Sequence, residues 1–180
     1  HASATGDATG NTVTITGGTM GDVYGGWTAG TGTTAAAKNN STGNTVNLKA
    51  GTVRTIYGGF TSVQTGSATG NKVTISGGSV TGAGYGKVYG GYLSHASATG
   101  SATGNTVTIT GGSMTDVYGG FTNGTGATTG NTVNLGDGEH SLAAGTNIAG
   151  TIHGGNKADA SGNTLNVKTN AQAGNIKNFD

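Results

Sequence analysis

One six-residue phrase recurs six times along the chain, at intervals that match one turn of a solenoid. It reads GNTVTI at Gly10, GNTVNL at Gly43, GNKVTI at Gly70, GNTVTI at Gly104, GNTVNL at Gly130 and GNTLNV at Gly162. The Asn residues of the phrase are Asn11, Asn44, Asn71, Asn105, Asn131 and Asn163, separated by 33, 27, 34, 26 and 32 residues. Repeats of this length are typical of solenoids, propellers and other arrays.

A second phrase follows the first in five of the repeats. It reads DVYGG at Asp22, TIYGG at Thr55, KVYGG at Lys87, DVYGG at Asp116 and TIHGG at Thr151. Both phrases alternate polar and apolar residues, so that Val107 and Ile109, for example, share one face of a strand. A propeller blade needs four antiparallel strands in about 40–45 residues. The repeats here hold two clear strands and room for a third, which favours stacked parallel coils.

The amino-acid composition agrees with parallel coils. The chain has no Pro, which would remove a hydrogen-bond donor from any inner strand, and Gly supplies 39 of its 180 residues. The apolar residues form short β-branched runs without helical spacing. We therefore predict an all-β fold, a right-handed parallel β-helix (β-solenoid) of about five to six coils. Residues 1–180 are expected to be a single β-helix fragment of a longer chain.

Gly and Asn residues mark the expected corners of each coil. Glycine pairs follow the first strand, as at Gly17-Gly18, and the second strand, as at Gly25-Gly26. Asn tolerates a turn or left-handed conformation, and its amide can bond to an equivalent amide in the next coil. We interpret the six repeated Asn residues as a structural Asn ladder. A binding role for them is the alternative.

Two series of aromatic residues keep step with the second phrase. The first is Tyr24, Tyr57, Tyr89 and Tyr118, and the second is Trp27, Phe60, Tyr92 and Phe121, three positions later in each repeat. Strand alternation predicts that the Tyr series points outward and that the second series belongs to the core. An exposed row of Tyr rings is a candidate binding site for sugars. The alternative is that each ring covers the glycines and stacks on its neighbour.

Two repeats are longer than the others between the two phrases. The spacing from Asn to the aromatic residue is 13 in three repeats, but 18 from Asn71 to Tyr89 and 22 from Asn131 to His153. The additional residues lie near Gly82 and Gly138. Insertions of this kind form loops at one edge of a solenoid, where binding functions are common. Simple tolerance of the surface to insertion explains them equally well.

The chain carries no convincing catalytic, metal or nucleic-acid site. Asp137, Glu139 and His140 are the one close group of titratable residues, and their position in an inserted loop favours solvated charge. The other carboxylates are scattered over separate repeats, whereas a glycosidase needs a pair. The net charge of +1 gives no basic stripe for nucleic acid. We expect no enzyme activity, no cofactor and no metal.

The repeats resemble the passenger domains of bacterial autotransporters, the type V secretion family. The GNTVTI and VYGG phrases carry this resemblance over nearly the whole chain, and AGNIKNFD from Ala173 is similar to the segment that precedes the translocating barrel. The resemblance implies a right-handed β-helix at the surface of a Gram-negative-type bacterium, secreted and linked to the outer membrane through a barrel that this sequence lacks. It also implies an adhesin whose partner is a glycan or protein on a host or neighbouring cell.

Two further functions remain open at this stage. Coil ends with unpaired edges allow self-association into an extracellular filament. Rows of Thr, as in TVTIT at Thr12 and at Thr106, resemble superficially the ice-binding face of some antifreeze solenoids, although Lys72 interrupts the row.

Overall fold

The fold is all-β in every part of the chain that the structure describes. The structure, a computed structural model, describes residues 6–30, 39–82, 84–137, 142–158, 160–168 and 173–179. The strands of successive turns are β1 (Ala8–Thr9) and β2 (Thr12–Thr28); β3 (Ser41–Thr42) and β4 (Thr45–Thr61); β5 (Ala68–Thr69), β6 (Lys72–Val80) and β7 (Lys87–Leu93); β8 (Ala102–Thr103), β9 (Thr106–Met114) and β10 (Asp116–Thr122); β11 (Thr132–Leu135) and β12 (Asn147–Gly155); and β13 (Thr164–Val167) and β14 (Ala173–Lys177). They stack as a β-solenoid of about five turns, which confirms the predicted parallel β-helix.

Equivalent residues of neighbouring repeats pair directly. In the first strand of each turn, Val73 lies between Val46 and Val107. In the second strand, Val88 lies between its counterparts Ile56 and Val117. A slip of one residue would turn every inward side chain towards solvent, so the alternating pattern fixes this register.

A third side closes the first four turns. The two-residue strands β1, β3, β5 and β8 form a separate four-stranded parallel sheet, in which Ala68 lies between Ser41 and Ala102. These strands come just before the Gly-Asn pair of the repeated phrase. The room for a third strand that the repeat length indicated is therefore used, but only for two residues.

The core is a column of β-branched and Leu side chains inside the coils. Its most deeply buried members, each at most 1% exposed, are Val46, Leu48, Val53, Ile56, Val73, Ile75, Val80, Val88, Val107, Ile109, Val117, Val133, Leu135 and Ile152. Burial of one such side chain stabilises the fold by about 1.5–3 kcal/mol. A smaller cluster of Ala68, Leu93, Ala98 and Ala102 fills the side near the short strands.

The glycine before each ladder Asn adopts a left-handed backbone. Gly10, Gly43, Gly70, Gly104, Gly130 and Gly162 have φ values from +63° to +66°. The ladder Asn residues themselves do not use the left-handed conformation, since in the described residues Asn178 is the one non-glycine with positive φ. Glycine takes this conformation without the steric penalty of a Cβ atom.

The second set of glycine pairs lies inside strands and not at corners. Gly58 and Gly59 belong to β4, and a Cβ atom on Gly58 would lie 2.5 Å from the carbonyl oxygen of Gly90. This pair is required because the backbones of adjacent turns approach closely. Gly78, from the first set, also lies inside a strand, β6, but its φ is +77° and the pairing with β9 shifts register between Ser76 and Ser79.

Candidate functional site

The six Asn residues form one continuous hydrogen-bonded ladder. The Oδ1 atom of Asn71 accepts the backbone N–H of Asn44 and its Nδ2–H, both at 3.0 Å. The same two hydrogen bonds join every neighbouring pair from Asn11 to Asn163, with donor–acceptor distances of 2.9–3.1 Å. The ladder runs the length of the described coils.

The ladder also ties each turn to the short strand of the turn before it. The second Nδ2–H of Asn105 donates to the carbonyl oxygen of Ala68 at 3.0 Å, and that of Asn131 donates to Ala102 at 3.0 Å. Asn44, Asn71, Asn105, Asn131 and Asn163 are each at most 1% exposed. The side-chain amides of the inner turns thus have all their donors and acceptors occupied inside the protein, which makes the ladder structural.

The first Tyr series forms a stacked column on the outer face of the second strands. Its ring centroids are 4.8 Å apart from Tyr24 to Tyr57, 5.2 Å from Tyr57 to Tyr89 and 5.0 Å from Tyr89 to Tyr118. His153 continues the column at 4.4 Å from Tyr118. Alternation predicted this outward direction correctly.

The stacking leaves little ring surface for a ligand. Tyr57 and Tyr89 each have a parallel neighbour on both faces, and Tyr89 is only 6% exposed. A sugar that stacks on an aromatic ring needs an open face. The geometry therefore agrees with the alternative interpretation, in which each ring stacks on the next.

The second aromatic series lies outside the Tyr column, and the prediction that it belongs to the core is wrong. Phe60, Tyr92 and Phe121 stack on each other and meet the Tyr rings edge to face, as in the 80° contact between Tyr57 and Phe60. Trp27 is 58% exposed.

The glycine pair explains why the second series is outside. Gly25 and Gly26 are both buried, so two consecutive positions face the interior and the strand alternation shifts by one residue. Tyr24 and Trp27 consequently share the outer face. Thr28 takes the inward position instead, where its hydroxyl donates to the carbonyl oxygen of Asn39 at 2.9 Å.

Burial shifts the pKa values of the column. Removal from water raises the pKa of the Tyr57 and Tyr89 hydroxyls far above their usual range, with a further contribution from Asp22 at Tyr57 and from Tyr92 at Tyr89. Burial lowers the pKa of His153, and Asp116 opposes this shift in part. The column is therefore uncharged at neutral pH.

Charged residues beside the Tyr column are paired between turns. Arg54 donates from Nε to the Oδ1 atom of Asp22 at 2.8 Å, and its Nη2 atom contacts Oδ2. The hydrogen bond from Arg54 holds the pKa of the Asp22 carboxyl below its usual value. Lys87 lies 3.7 Å from Asp116. These two pairs leave this face with balanced charge.

The insertion near Gly82 presents an exposed aromatic ring. Tyr85 is 49% exposed, and the guanidinium carbon of Arg54 lies 4.8 Å from the centre of its ring. Gly82 accepts a hydrogen bond from the N–H of Tyr85 at 2.9 Å, which closes a tight turn. This loop brings together a ring, a guanidinium and, through Arg54, the carboxylate of Asp22.

The second insertion, near Gly138, lies partly outside the described residues. Gly138, Glu139 and His140 lie outside the described residues, and of the group named from the sequence only Asp137 is described. Among the described residues, no three His, Cys, Asp or Glu side chains come together as a potential metal site.

The outer face of the first strands carries two rows of polar residues in register. One row is Thr12, Thr45, Lys72, Thr106, Thr132 and Thr164, and the other is Thr14, Asn47, Thr74, Thr108, Asn134 and Asn166. Some neighbours in the second row are hydrogen-bonded, as where Asn166 donates from Nδ2 to Asn134 Oδ1 at 2.8 Å. Lys72 breaks the first row, as the sequence indicated.

Sequence reasoning missed Arg54, Tyr85 and the ion pairs. Arg54 stands one residue before the position equivalent to Asp22, so aligned repeats do not place the two together. A signal was available for the second pair, because Lys87 and Asp116 occupy the same repeat position with opposite charges. Tyr85 lay in a segment that the sequence marked only by its length.

Comparisons with known proteins add no relative. The chain matches no protein-family model, and no curated protein or solved structure was found to be similar to it. Within the described ranges there is no helix of the length and apolar character needed to cross a membrane.

Proposed function

We propose that the chain is a non-catalytic β-helix shaft of a bacterial cell-surface adhesin of the autotransporter type. The stacked coils form a stable support, and loops inserted between strands contact a glycan or protein on a host or neighbouring cell. The secreted, surface-exposed location belongs to the same proposal.

The observation that supports this proposal is that an inserted loop leaves the coil ladder in register. The third turn has five more residues than the fourth between the ladder Asn and the aromatic residue, 18 against 13. Even so, Val80 pairs with Val53 before the loop, and Val88 pairs with Ile56 after it. A fold that tolerates such loops is suited to presenting variable contact surfaces.

The self-contained hydrogen bonding of the coils is a second argument. The buried amides of the Asn ladder bond to one another and to the short strands, and the Tyr column stacks on itself. These repeated contacts account for the repeated phrases as fold-forming residues, which leaves recognition to the inserted segments.

Adhesion of coated particles tests the proposal. Microspheres carrying the folded chain are passed under flow over a panel of animal epithelial and bacterial cells. We expect retention on at least one cell type, well above that of microspheres carrying the heat-denatured chain. Equal retention of the two preparations on every cell type would contradict the proposal.

A further inference from the structure

Tyr85 differs from the other exposed large apolar side chains in its place along the solenoid. In the described residues these side chains are Trp27, Tyr85, Val167 and Ile176. Trp27 belongs to the first described turn, and Val167 and Ile176 belong to the last, so each of these turns stacks on a described turn on one side only. Tyr85 lies in the third turn, with coils on both sides, so its exposure comes from the loop itself.

The loop holds Tyr85 at a fixed place. At its start, the N–H of Thr81 donates to the carbonyl oxygen of Val53 at 2.8 Å. At its end, the N–H of Gly86 donates to the carbonyl oxygen of Arg54 at 3.0 Å. The carbonyl oxygen of Gly86 accepts a hydrogen bond from the backbone N–H of Thr115 at 2.7 Å. The ring of Tyr85 is therefore next to Gly86, whose backbone is hydrogen-bonded to the turns on both sides.

Arg54 is held against this ring by a second constraint. Its two contacts with Asp22 fix the plane of the guanidinium, which places the guanidinium carbon 4.8 Å from the ring centre of Tyr85. Arginine has five N–H donors, and two are used by Asp22. The remaining donors of Arg54 are available beside the exposed ring because Arg54 itself is exposed.

We propose that Tyr85, Arg54 and Asp22 form a binding subsite for a neutral pyranose sugar. A pyranose has an apolar C–H face that packs on an aromatic ring, and hydroxyl oxygens at its edge that accept hydrogen bonds from fixed donors. The subsite offers these features side by side. The inference rests on the proposed function, because it names the partner of one of the inserted loops.

The balance of charge selects a neutral sugar over other ligands. An acidic sugar would need an unpaired cation, but Asp22 neutralises Arg54, and Asp116 lies close to Lys87. A cationic ligand would need an unpaired carboxylate, but the carboxylate of Asp22 is paired with Arg54. A single subsite binds weakly, and many copies on one cell surface raise the overall strength of attachment.

A glycan array probed with the labelled chain tests the inference. The array carries neutral oligosaccharides together with sialylated and sulfated ones. We expect the parent chain to bind neutral glycans. Tyr85→Ala should weaken that binding about tenfold or more, whereas Tyr85→Phe, which keeps the ring, should stay within about twofold. Thr81→Ala, in the same loop, serves as the matched control and should bind like the parent.

A loop deletion provides a second variant that removes Tyr85 and is expected to keep the fold. Removal of residues 82–86 joins Thr81 to Lys87, which reproduces the spacing of the fourth turn, where Thr115 is followed directly by Asp116. This variant should unfold at the same temperature as the parent chain and should no longer bind neutral glycans. Binding by folded Tyr85→Ala at the parent's strength, or binding by the parent to acidic glycans alone or to none, would overturn the subsite.

The two proposals fail in different ways. If coated microspheres adhere to cells but the chain binds no neutral glycan, the sugar subsite is wrong and the adhesin function stands. If the chain binds neutral glycans through Tyr85 but the microspheres adhere to no cell, the subsite stands and the adhesin function is wrong.

Discussion

The side chain of Asn131 accepts two hydrogen bonds from Asn105, one from its backbone N–H and one from its Nδ2–H, each at 3.0 Å. Asn105 in turn accepts the same two bonds from Asn71. Each amide in the middle of the ladder thus depends on the turns on both sides of it. The ladder therefore couples the coils through buried hydrogen bonds.

Asn105→Ala should destabilise the fold by about 3 kcal/mol. The change leaves the two donors of Asn71 and the carbonyl of Ala68 buried without their partner, and each unsatisfied group costs about 1–3 kcal/mol. Chemical denaturation measures the free energy of unfolding. The matched control is Asn134→Ala, which removes a half-buried outer amide and should cost less than about 1 kcal/mol. Equal effects of the two changes would contradict the structural role of the ladder.

Val107→Asp should unfold the central coils or destabilise them by about 4 kcal/mol or more. Val107 is fully buried between Val73 and Val133, so the new carboxylate would have no partner. Thr108→Asp places the same charge on the outer face one residue later and should change stability little. Thermal unfolding followed by circular dichroism compares them. An unchanged midpoint for Val107→Asp would show that the register is wrong.

Gly58→Ala should destabilise the fold by about 2–4 kcal/mol. The added methyl group would meet the backbone of Gly90 at 2.5 Å, and backbone cannot move aside without breaking the ladder of strands. Gly21→Ala adds the same group where nothing lies within 4 Å, and it should be tolerated. Urea unfolding of the two variants gives the comparison. A tolerated alanine at position 58 would exclude the close approach of the turns.

Stability should fall as the pH is lowered below about 6.5, in part because of His153. Burial lowers the pKa of His153 in the folded chain, so the unfolded chain binds the proton more readily. The stabilising effect of the neutral ring is present above pH 6.5 and is lost progressively as the pH falls. His153→Phe keeps a ring stacked on Tyr118 without a titrating group. Unfolding midpoints from pH 7.5 to 5.5 should therefore decline less steeply for the variant, and identical slopes would refute the assignment.

Much of the fold could be predicted from the sequence because its repeats report the same environment many times. The alternation around Val73 and Val107 fixes inside and outside in every turn, and the invariant Asn indicates a ladder. What could not be predicted depends on breaks in that regularity. The second buried glycine at Gly26 shifts the alternation and brings Trp27 outside, and a rule of strict period two does not include this shift.

The candidate site was harder to predict because it depends on contacts between different turns. The sequence marked the loop near Gly82 by its length, but the ring of Tyr85 acquires a partner only when β4 lies beside the loop. The pairing of Arg54 with Asp22 likewise crosses between turns and is offset by one residue. Such offset contacts are set by the three-dimensional stacking of coils, which the spacing of motifs does not specify.

The most direct test of the account compares the parent chain with the variant that lacks residues 82–86, in particle adhesion and in thermal unfolding. The account predicts that both proteins unfold at the same temperature, because the coil ladder does not need the loop, and that adhesion to a cell type bound by the parent falls at least tenfold. Full adhesion by the folded variant would contradict the claim that this loop makes the contact. A large loss of stability would contradict the claim that the coils form an independent support.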